Sequence, residues 1–497
     1  MVHDRRWLLL GTVSLGLLLI TLDNSILYTA LPTLTEELGA SPTESLWIIN
    51  AYPLVMAGLL LGAGTLGDRA GHRRMFVIGL VTFGVASIVA AFAPTSAVLI
   101  AARATLAVGA AAMMPATLAL IRIGFPDARE RNLAIAVWGS ISVLGMALGP
   151  VLSGVLLSAF WWGSVFLVNV PVVLLSLAAV PFVLPPNDAD SSRRWDLSSS
   201  VLAMAALVGL VLVIKEIAKP QPAWWLVAVA LLLCVAGAVL FVRRQRRLDD
   251  ALLDFSVFGN AAFSSGITAA ALVMFAVAGV QLITTQRFQL VAGFTPLESG
   301  LLMAAVAIGS LPTALLGGAA LHVTGLRIPV SGGMALAAVG ALVAGLSVSG
   351  SIGPFVVGLV ILGAGVGLVF AVASTAIVGN VVRQRAGMAS SLEEVSYEFG
   401  SLVAVALVGT LMTTIYSATV IVPAGSPAEA AESMAAAAHV AAGDPVLLRA
   451  AGDAFDLSYR VIALGIAALL LAGSAITGWM LRAHGPRTES TLAEVAH

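Results

Sequence analysis

Apolar runs of about twenty residues alternate along this chain with short polar breaks, many of them rich in arginine. A helix needs roughly 20 mostly apolar residues to cross a bilayer. Fourteen runs reach that length, beginning near residues 7, 46, 76, 97, 133, 163, 199, 223, 260, 297, 328, 353, 388 and 457. The period-two alternation of barrel strands is almost absent, so the pattern predicts an all-α polytopic membrane protein with fourteen transmembrane helices. The run from Trp7 to Ala30 follows Arg5 and Arg6, as a signal peptide would. It is too long for an h-region, contains Asp23 and lacks a small-residue cleavage site, so it is read as a retained first span.

The basic residues sort by side. Asp68 to Arg74, Arg122/Arg129/Arg131, Arg193/Arg194, Arg243 to Arg247, Arg327 and Arg383/Arg385 fall in one set of alternate loops, with Arg5/Arg6 and Arg482/Arg487 at the two ends. The opposite loops hold Lys219, Arg287, Arg449 and Arg460. The positive-inside rule places both termini in the cytoplasm, which requires an even number of spans. Pro185 to Asp196 is the longest polar cytoplasmic loop, and Val420 to Asp456 is a long external segment. The alanine-rich part of that segment predicts one or two short helices broken at Gly443-Asp444-Pro445. The chain divides into a first six-helix half (1–186), a loop with two extra helices (187–250), a second six-helix half (251–483) carrying the external segment 420–456, and a cytoplasmic tail (484–497).

Composition agrees with a membrane protein. Hydrophobic residues make up 59% and charged residues 10% of the 497, against roughly 25% charged in a soluble domain. The net charge of -1 carries no basic patch for nucleic acid. Cys234 is the only cysteine and the six histidines lack metal spacing, so no cysteine zinc site or disulfide is expected. No Gly-x-x-x-x-Gly-Lys-Ser/Thr motif occurs, so ATP is not expected as an energy source within this chain, and no cofactor is expected.

Against this background, acids inside apolar runs stand out. A carboxylate at bilayer depth costs about 2.5 to 3.5 kcal/mol on insertion scales. Asp23 lies within the first span, and Glu393, Glu394 and Glu398 lie within the thirteenth. Asp23 faces lipid or an internal cavity, and cost favours the cavity; the plain alternative is a packing ion pair. Glu394 and Glu398 are four apart and share a helix face, while Glu393 is turned about 100° away. Glu393 is also the best candidate for a structural role near the cytoplasmic end. Lys215-Glu216 is read as an interfacial pair. Trp47, Trp138 and Tyr397 are the aromatic residues best suited to hold an organic cation, against the ordinary reading of packing.

The motifs narrow the class. Gly64-Thr65-Leu66-Gly67-Asp68-Arg69-Ala70-Gly71-His72-Arg73-Arg74, between the second and third spans, resembles the signature loop of the major facilitator superfamily. That resemblance implies a cytoplasmic latch formed by Asp68, Arg69, Gly71, Arg73 and Arg74, with Asp68 as its central charge. Arg103, in Arg103-Ala104-Thr105-Leu106-Ala107-Val108-Gly109, resembles the superfamily's fourth-span motif. Gly145 to Gly154, with Gly149, Pro150 and a Ser153-Gly154 ending, resembles the fifth-span motif of proton-coupled exporters. Small residues four apart also suit close helix packing, and Pro150 suits a kink. Leu22 to Pro32, Leu46 to Tyr52 and Glu393 to Glu398 resemble the fourteen-span drug:proton antiporters, the QacA-like multidrug exporters.

That family resemblance implies a bacterial inner-membrane antiporter with a six-plus-two-plus-six layout. Lipophilic cationic drugs and protons would be its partners, with membrane lipid around a monomer. Asp23 and Arg103 would exchange protons, and Glu394, Glu398, Glu393, Tyr397, Trp47 and Trp138 would meet the drug. The alternative for Arg103 is a guanidinium snorkelling near the external face. Ser310 stands where QacA-like members carry a further acid tied to dications, which predicts a preference for monovalent cations. Two rivals remain: an exporter of one endogenous product, and a membrane receptor or scaffold that transports nothing.

Overall fold

The computed structural model describes residues 2–187, 189, 196–217, 222–248, 252–381, 386–423, 426–440 and 444–483. Lys219, Arg193, Arg194, Arg383, Arg385 and the tail from residue 484, which includes Arg487, lie outside the described residues.

Sixteen α-helices follow one another with no strand among the described residues. They are α1 (Val2–Leu38), α2 (Pro42–Ala70), α3 (His72–Ala91), α4 (Ser96–Gly124), α5 (Ala128–Ala159), α6 (Ser164–Leu167), α7 (Asn169–Val183), α8 (Leu197–Ile217) and α9 (Trp224–Gln245). Then come α10 (Ala261–Gln286), α11 (Pro296–Thr324), α12 (Gly333–Ser347), α13 (Ile352–Ile377), α14 (Ala386–Thr419), α15 (Met434–Val440) and α16 (Pro445–Met480). Two π-helical turns, Arg287–Val291 and Ile328–Gly332, extend α10 and precede α12.

Among the described residues twelve helices are long and apolar enough to cross a membrane, and the bent pair within α2 makes a thirteenth if taken as one span. The apolar run from 163 is divided between α6 and α7, and the one from 328 opens in a π-turn before α12. α5 covers 32 residues, though its apolar portion Leu148–Ala159 is shorter than a span by itself. One boundary differs from expectation. α16 begins at Pro445 rather than near 457, because Asp444 caps it by accepting the Val446 N–H at 2.9 Å and Pro445 suits the first helical position. The segment between α14 and α16 is therefore shorter by about a dozen residues and carries the short turn Ala428–Ala431 and α15.

The chain forms two compact units, residues Met1–Leu207 with Cys234–Asp254, and Val208–Leu233 with Phe255–His497. In each, the second long helix starts with the same device. At α2 the Ser41 hydroxyl accepts the Glu44 N–H (3.3 Å) and Glu44 accepts the Ser41 N–H (2.9 Å), with Pro42 between them. At α11 Thr295, Pro296 and Glu298 repeat the arrangement at 3.2 and 2.8 Å. Both are capping boxes, which satisfy helix-end N–H groups that have no partner within the helix. Within the first unit the core is formed by α1 with α5, α2 with α4, and α3 with α4; within the second by α11 and α12 on α13, and α10 on α14. The outward faces of α8 and α9 are apolar, with Trp224, Trp225, Leu231 and Leu232 among their most exposed side chains, as suits contact with lipid.

Candidate functional site

In the first unit one carboxylate gathers five helices. Asp23 on α1 is 1% exposed. Its Oδ2 accepts a short hydrogen bond from Arg103 Nη1 of α4, which makes a fully buried ion pair. Its Oδ1 accepts from Asn169 Nδ2 at the start of α7, at 3.0 Å. The same Asn169 nitrogen donates to Ser87 Oγ of α3, at 3.2 Å. Arg103 donates through Nε to the Ile48 carbonyl of α2 at 3.4 Å, and its guanidinium lies 4.6 Å from the centre of the Tyr52 ring. Arg103 Nη2 is buried and makes no hydrogen bond.

This arrangement decides between the readings that the sequence left open for each residue. Asp23 faces the interior of the unit, where it makes the ion pair that was the plain alternative to a cavity-facing acid. Arg103 does not snorkel, since none of it is exposed. A buried pair of this kind gains little net stability over apolar packing, whereas removing one partner strands the other charge.

The fifth-span motif sets how closely α1 approaches. A Cβ placed on Gly145 would lie 2.9 Å from Thr21 Cβ, and one on Gly149 would lie 2.8 Å from Ser25 Cβ and 3.0 Å from the Ile26 nitrogen. Ser25 Oγ donates to the Gly145 carbonyl at 3.1 Å. Gly145 and Gly149 thus bring α5 against the helix that carries Asp23, while Pro150 and Gly154 lie in the next turns of α5. Trp138, also on α5, is buried and its Nε1 makes no hydrogen bond among the described residues. Trp47 on α2 is half-buried.

The loop between α2 and α3 is tied by a histidine and an asparagine. Asp68 Oδ1 lies 3.2 Å from Nε2 of His72, one turn on. Arg69 is exposed. Arg73 Nη1 donates to the Pro185 carbonyl at 3.4 Å. Gly71 adopts φ +89, and the side chain of Asn187 occupies the space where a Cβ would stand. Asn187 Nδ2 donates to the Ala70 carbonyl (2.9 Å), and its Oδ1 accepts the Arg74 N–H (3.0 Å). The amide therefore caps the end of α2 and the start of α3 together.

In the second unit, α14 carries the three glutamates. Glu393 is 8% exposed and accepts from the Tyr397 hydroxyl at 3.1 Å, with Ser374 of α13 as a further hydrogen-bond partner. The Tyr397 ring packs on Phe370 of α13, centres 5.1 Å apart. Glu394 and Glu398 share the adjacent face and act electrostatically on each other. Gly400, one turn on, presses α14 onto α10: a Cβ there would lie 2.9 Å from the Ala271 carbonyl carbon. Ser310 on α11 is buried and donates to the Ala307 carbonyl at 3.3 Å, so it brings no charge.

At one end of the second unit Arg287, in the π-turn after α10, forms a two-pronged pair with Asp456 of α16 at 2.8 and 3.1 Å. Beside it lies a cavity of about 180 Å³ lined by Phe288, Phe294, Phe355 and the Ser347–Ile352 turn. Sequence reading missed three participants: Asn169, Asn187 and Asp456. The first two are neutral amides that carry no signal without their contacts. The third was counted as loop because the start of α16 was placed too late.

The Major Facilitator Superfamily matches the chain over residues 13–294. The multidrug efflux pump LfrA of Mycolicibacterium smegmatis is 38% identical over 96% of this chain and 97% of its own length. The methyl viologen resistance protein SmvA of Salmonella typhimurium is 34% identical over 97% and 99%. The tetracenomycin C resistance and export protein of Streptomyces glaucescens is 30% identical over 83% and 77%. Among solved structures, an inward-facing bacterial homolog of the human lysosomal transporter Spinster superposes with a TM-score of 0.65 at 15% identity, covering 97% of this chain and 98% of that one, a likeness of fold alone. With a helical membrane fold, the signature loop and near full-length relatives among efflux pumps, the chain is a transporter rather than an enzyme, and it belongs to the major facilitator superfamily.

Proposed function

We propose that this transporter exports lipophilic, mainly monovalent cations in exchange for protons. It would do so as a fourteen-span protein of the bacterial inner membrane with both termini in the cytoplasm. The observation that carries the reading is the buried carboxylate Asp23, held by Arg103 at membrane depth. An acid is costly there, and its usual justification is proton or ion handling. The three glutamates of α14, with Tyr397 among them, supply negative charge and an aromatic face, the two features an organic cation seeks. Glu394 and Glu398 are assigned to the cation, and Glu393 to fixing Tyr397. A cation that binds to these carboxylates favours their ionised form, so drug binding and proton release are linked, and the linkage is reciprocal. Names of relatives that mention multidrug efflux and methyl viologen resistance support a drug-like substrate.

The test is export from proteoliposomes with the pH gradient and the membrane potential imposed separately. Uphill movement of a quaternary ammonium dye driven by the pH gradient is expected. Transport indifferent to both gradients would remove the antiport reading. A second reading, a dedicated exporter of one endogenous product, is favoured by Ser310 in place of an acid and by the likeness to a tetracenomycin C exporter. Transport confined to a single compound in a panel of cations and neutral drugs would select it.

A further inference from the structure

We propose that Asn169 is a positioning residue of the proton site, setting how readily Asp23 takes up a proton by donating to its free carboxylate oxygen. The inference rests on the proposed role of Asp23 as proton carrier. Arg103 occupies Oδ2, which leaves Oδ1 as the oxygen open to a proton. Asn169 Nδ2 lies 3.0 Å from that oxygen, and Asn169 is itself only 1% exposed. An ionised carboxylate only accepts hydrogen bonds, so the amide must present its nitrogen. A hydrogen bond to the charged form favours that form.

Ser87 fixes the amide. Its Oγ lies 3.2 Å from the same nitrogen and is wholly buried. The side chain is therefore held between two acceptors and is not merely packed. Local sequence explains its placing. The break at Val168 separates α6 from α7, so Asn169 opens a helix and Pro171 follows two residues later. That offset turns the amide inward, toward α1 and α3.

Among the described residues, the other charged groups of these helices stand away from Asp23; on α1 itself Arg5, Arg6, Glu36 and Glu37 lie near the two ends. α6 and α7 contain none. The acids and bases of α2, α3 and α5 lie at their ends: Glu44, Asp68 and Arg69; His72, Arg73 and Arg74; Arg129, Glu130 and Arg131. On α4, Arg122 is in the last turn and Arg103 is the partner already described. Tyr52 stands against Arg103, and Tyr28 is buried on α1 five residues beyond Asp23. When a proton binds Oδ1, an O–H bond forms, the charge of the oxygen is neutralised and the Asn169 N–H···O bond weakens. Release of the proton restores the amide bond. Asn169 thus holds the site ready to give its proton up.

The experiment measures drug:proton exchange in proteoliposomes against proton concentration, for the native protein and for Asn169→Ala, Ser87→Ala, Ser87→Thr and Asp23→Asn. Loss of one hydrogen bond to a charged group predicts that Asn169→Ala reaches half-maximal exchange at about tenfold lower proton concentration. The drug KM is expected to stay within about twofold. Ser87→Ala, which leaves the amide in place but unbraced, is expected to shift less in the same direction, and Ser87→Thr to restore the native profile. A purely structural Asn169 would lower yield or maximal rate and leave the half-saturating proton concentration where it was; that result overturns the proposal. The Asp23→Asn arm tests the underlying reading separately, because pH-driven uphill export that survives it removes Asp23 as carrier whatever the Asn169 variants do. If Asn169→Ala fails to accumulate, the Ser87 pair decides alone: identical profiles for Ser87→Ala and Ser87→Thr overturn the proposal.

Discussion

Asp23 and Arg103 show how an interior charge is made tolerable. Neither is exposed, and Asn169, the Ile48 carbonyl and the Tyr52 ring fill the remaining coordination except at Arg103 Nη2. Asp23→Asn removes the charge and strands Arg103 without changing side-chain volume. Uphill export is expected to disappear while drug binding persists, as read by dye accumulation against equilibrium binding; intact pH-driven accumulation would contradict it. At the glutamates the choice of residue matters. Glu394→Gln is expected to weaken cation binding roughly tenfold, the scale of one lost charge-assisted contact. Binding of a neutral substrate should hardly change, and equal losses for both would point to damaged folding. The motif residues and acids were legible from sequence because a charge in an apolar run is conspicuous. Asn169 was not, because one amide in an apolar run carries little signal until α7 sets it beside α1.

Helices were the most legible feature, since a long apolar run with few polar groups must satisfy its backbone within itself. Their ends were less so. The start of α16 lies in a mixed stretch, Pro445 to Asp456, whose helicity depends on the Asp444 cap and on the Arg287–Asp456 pair, a contact across 169 residues. Close approach of α5 to α1 depends on Gly149. Gly149→Leu is expected to cost at least 1–3 kcal/mol by overpacking, seen as a lower thermal midpoint in detergent; an unchanged midpoint would mean that the two helices slide apart freely. The turn between α2 and α3 depends on Gly71 in the left-handed region and on Asn187 beside it. Asp68→Asn, which weakens the contact to His72, is expected to slow turnover with drug affinity nearly constant. A large affinity change would place Asp68 at the binding site instead of the latch.

At the scale of the molecule, the extra helices α8 and α9 are clasped at one end. Arg244 grips Asp196 with three hydrogen bonds of 2.9 to 3.1 Å, and Gln245 joins Ser199 (2.6 Å) to the Leu253 N–H (3.1 Å). Burial pushes the Asp196 carboxyl up, but the Arg244 guanidinium and Ser199 outweigh it and hold it below the ordinary value of 3.8. A depressed carboxyl contributes its stability fully above the unfolded value and loses it as pH falls through the folded one. The clasp is therefore expected to hold at pH 5 and above and to loosen below about pH 4. Hydrogen exchange at residues 197–200 as pH is lowered would report it, and protection unchanged at pH 3 would argue against the clasp. The clasp was not legible from sequence, because Asp196 and Arg244 meet only through the hairpin.

The five-helix knot also has a consequence for biosynthesis. Arg103 follows Asp23 by 80 residues and Asn169 follows it by 146. At about 5–20 residues per second, the first helix waits roughly 4–16 s for its arginine and about 7–30 s for its amide. Throughout that interval the nascent chain must keep an unpartnered acid in or near the bilayer. The first helix is thus expected to remain beside the insertion machinery until the fourth has emerged, and ribosome-stalled chains ending before residue 103 should crosslink to the translocon longer than those of an Asp23→Leu variant.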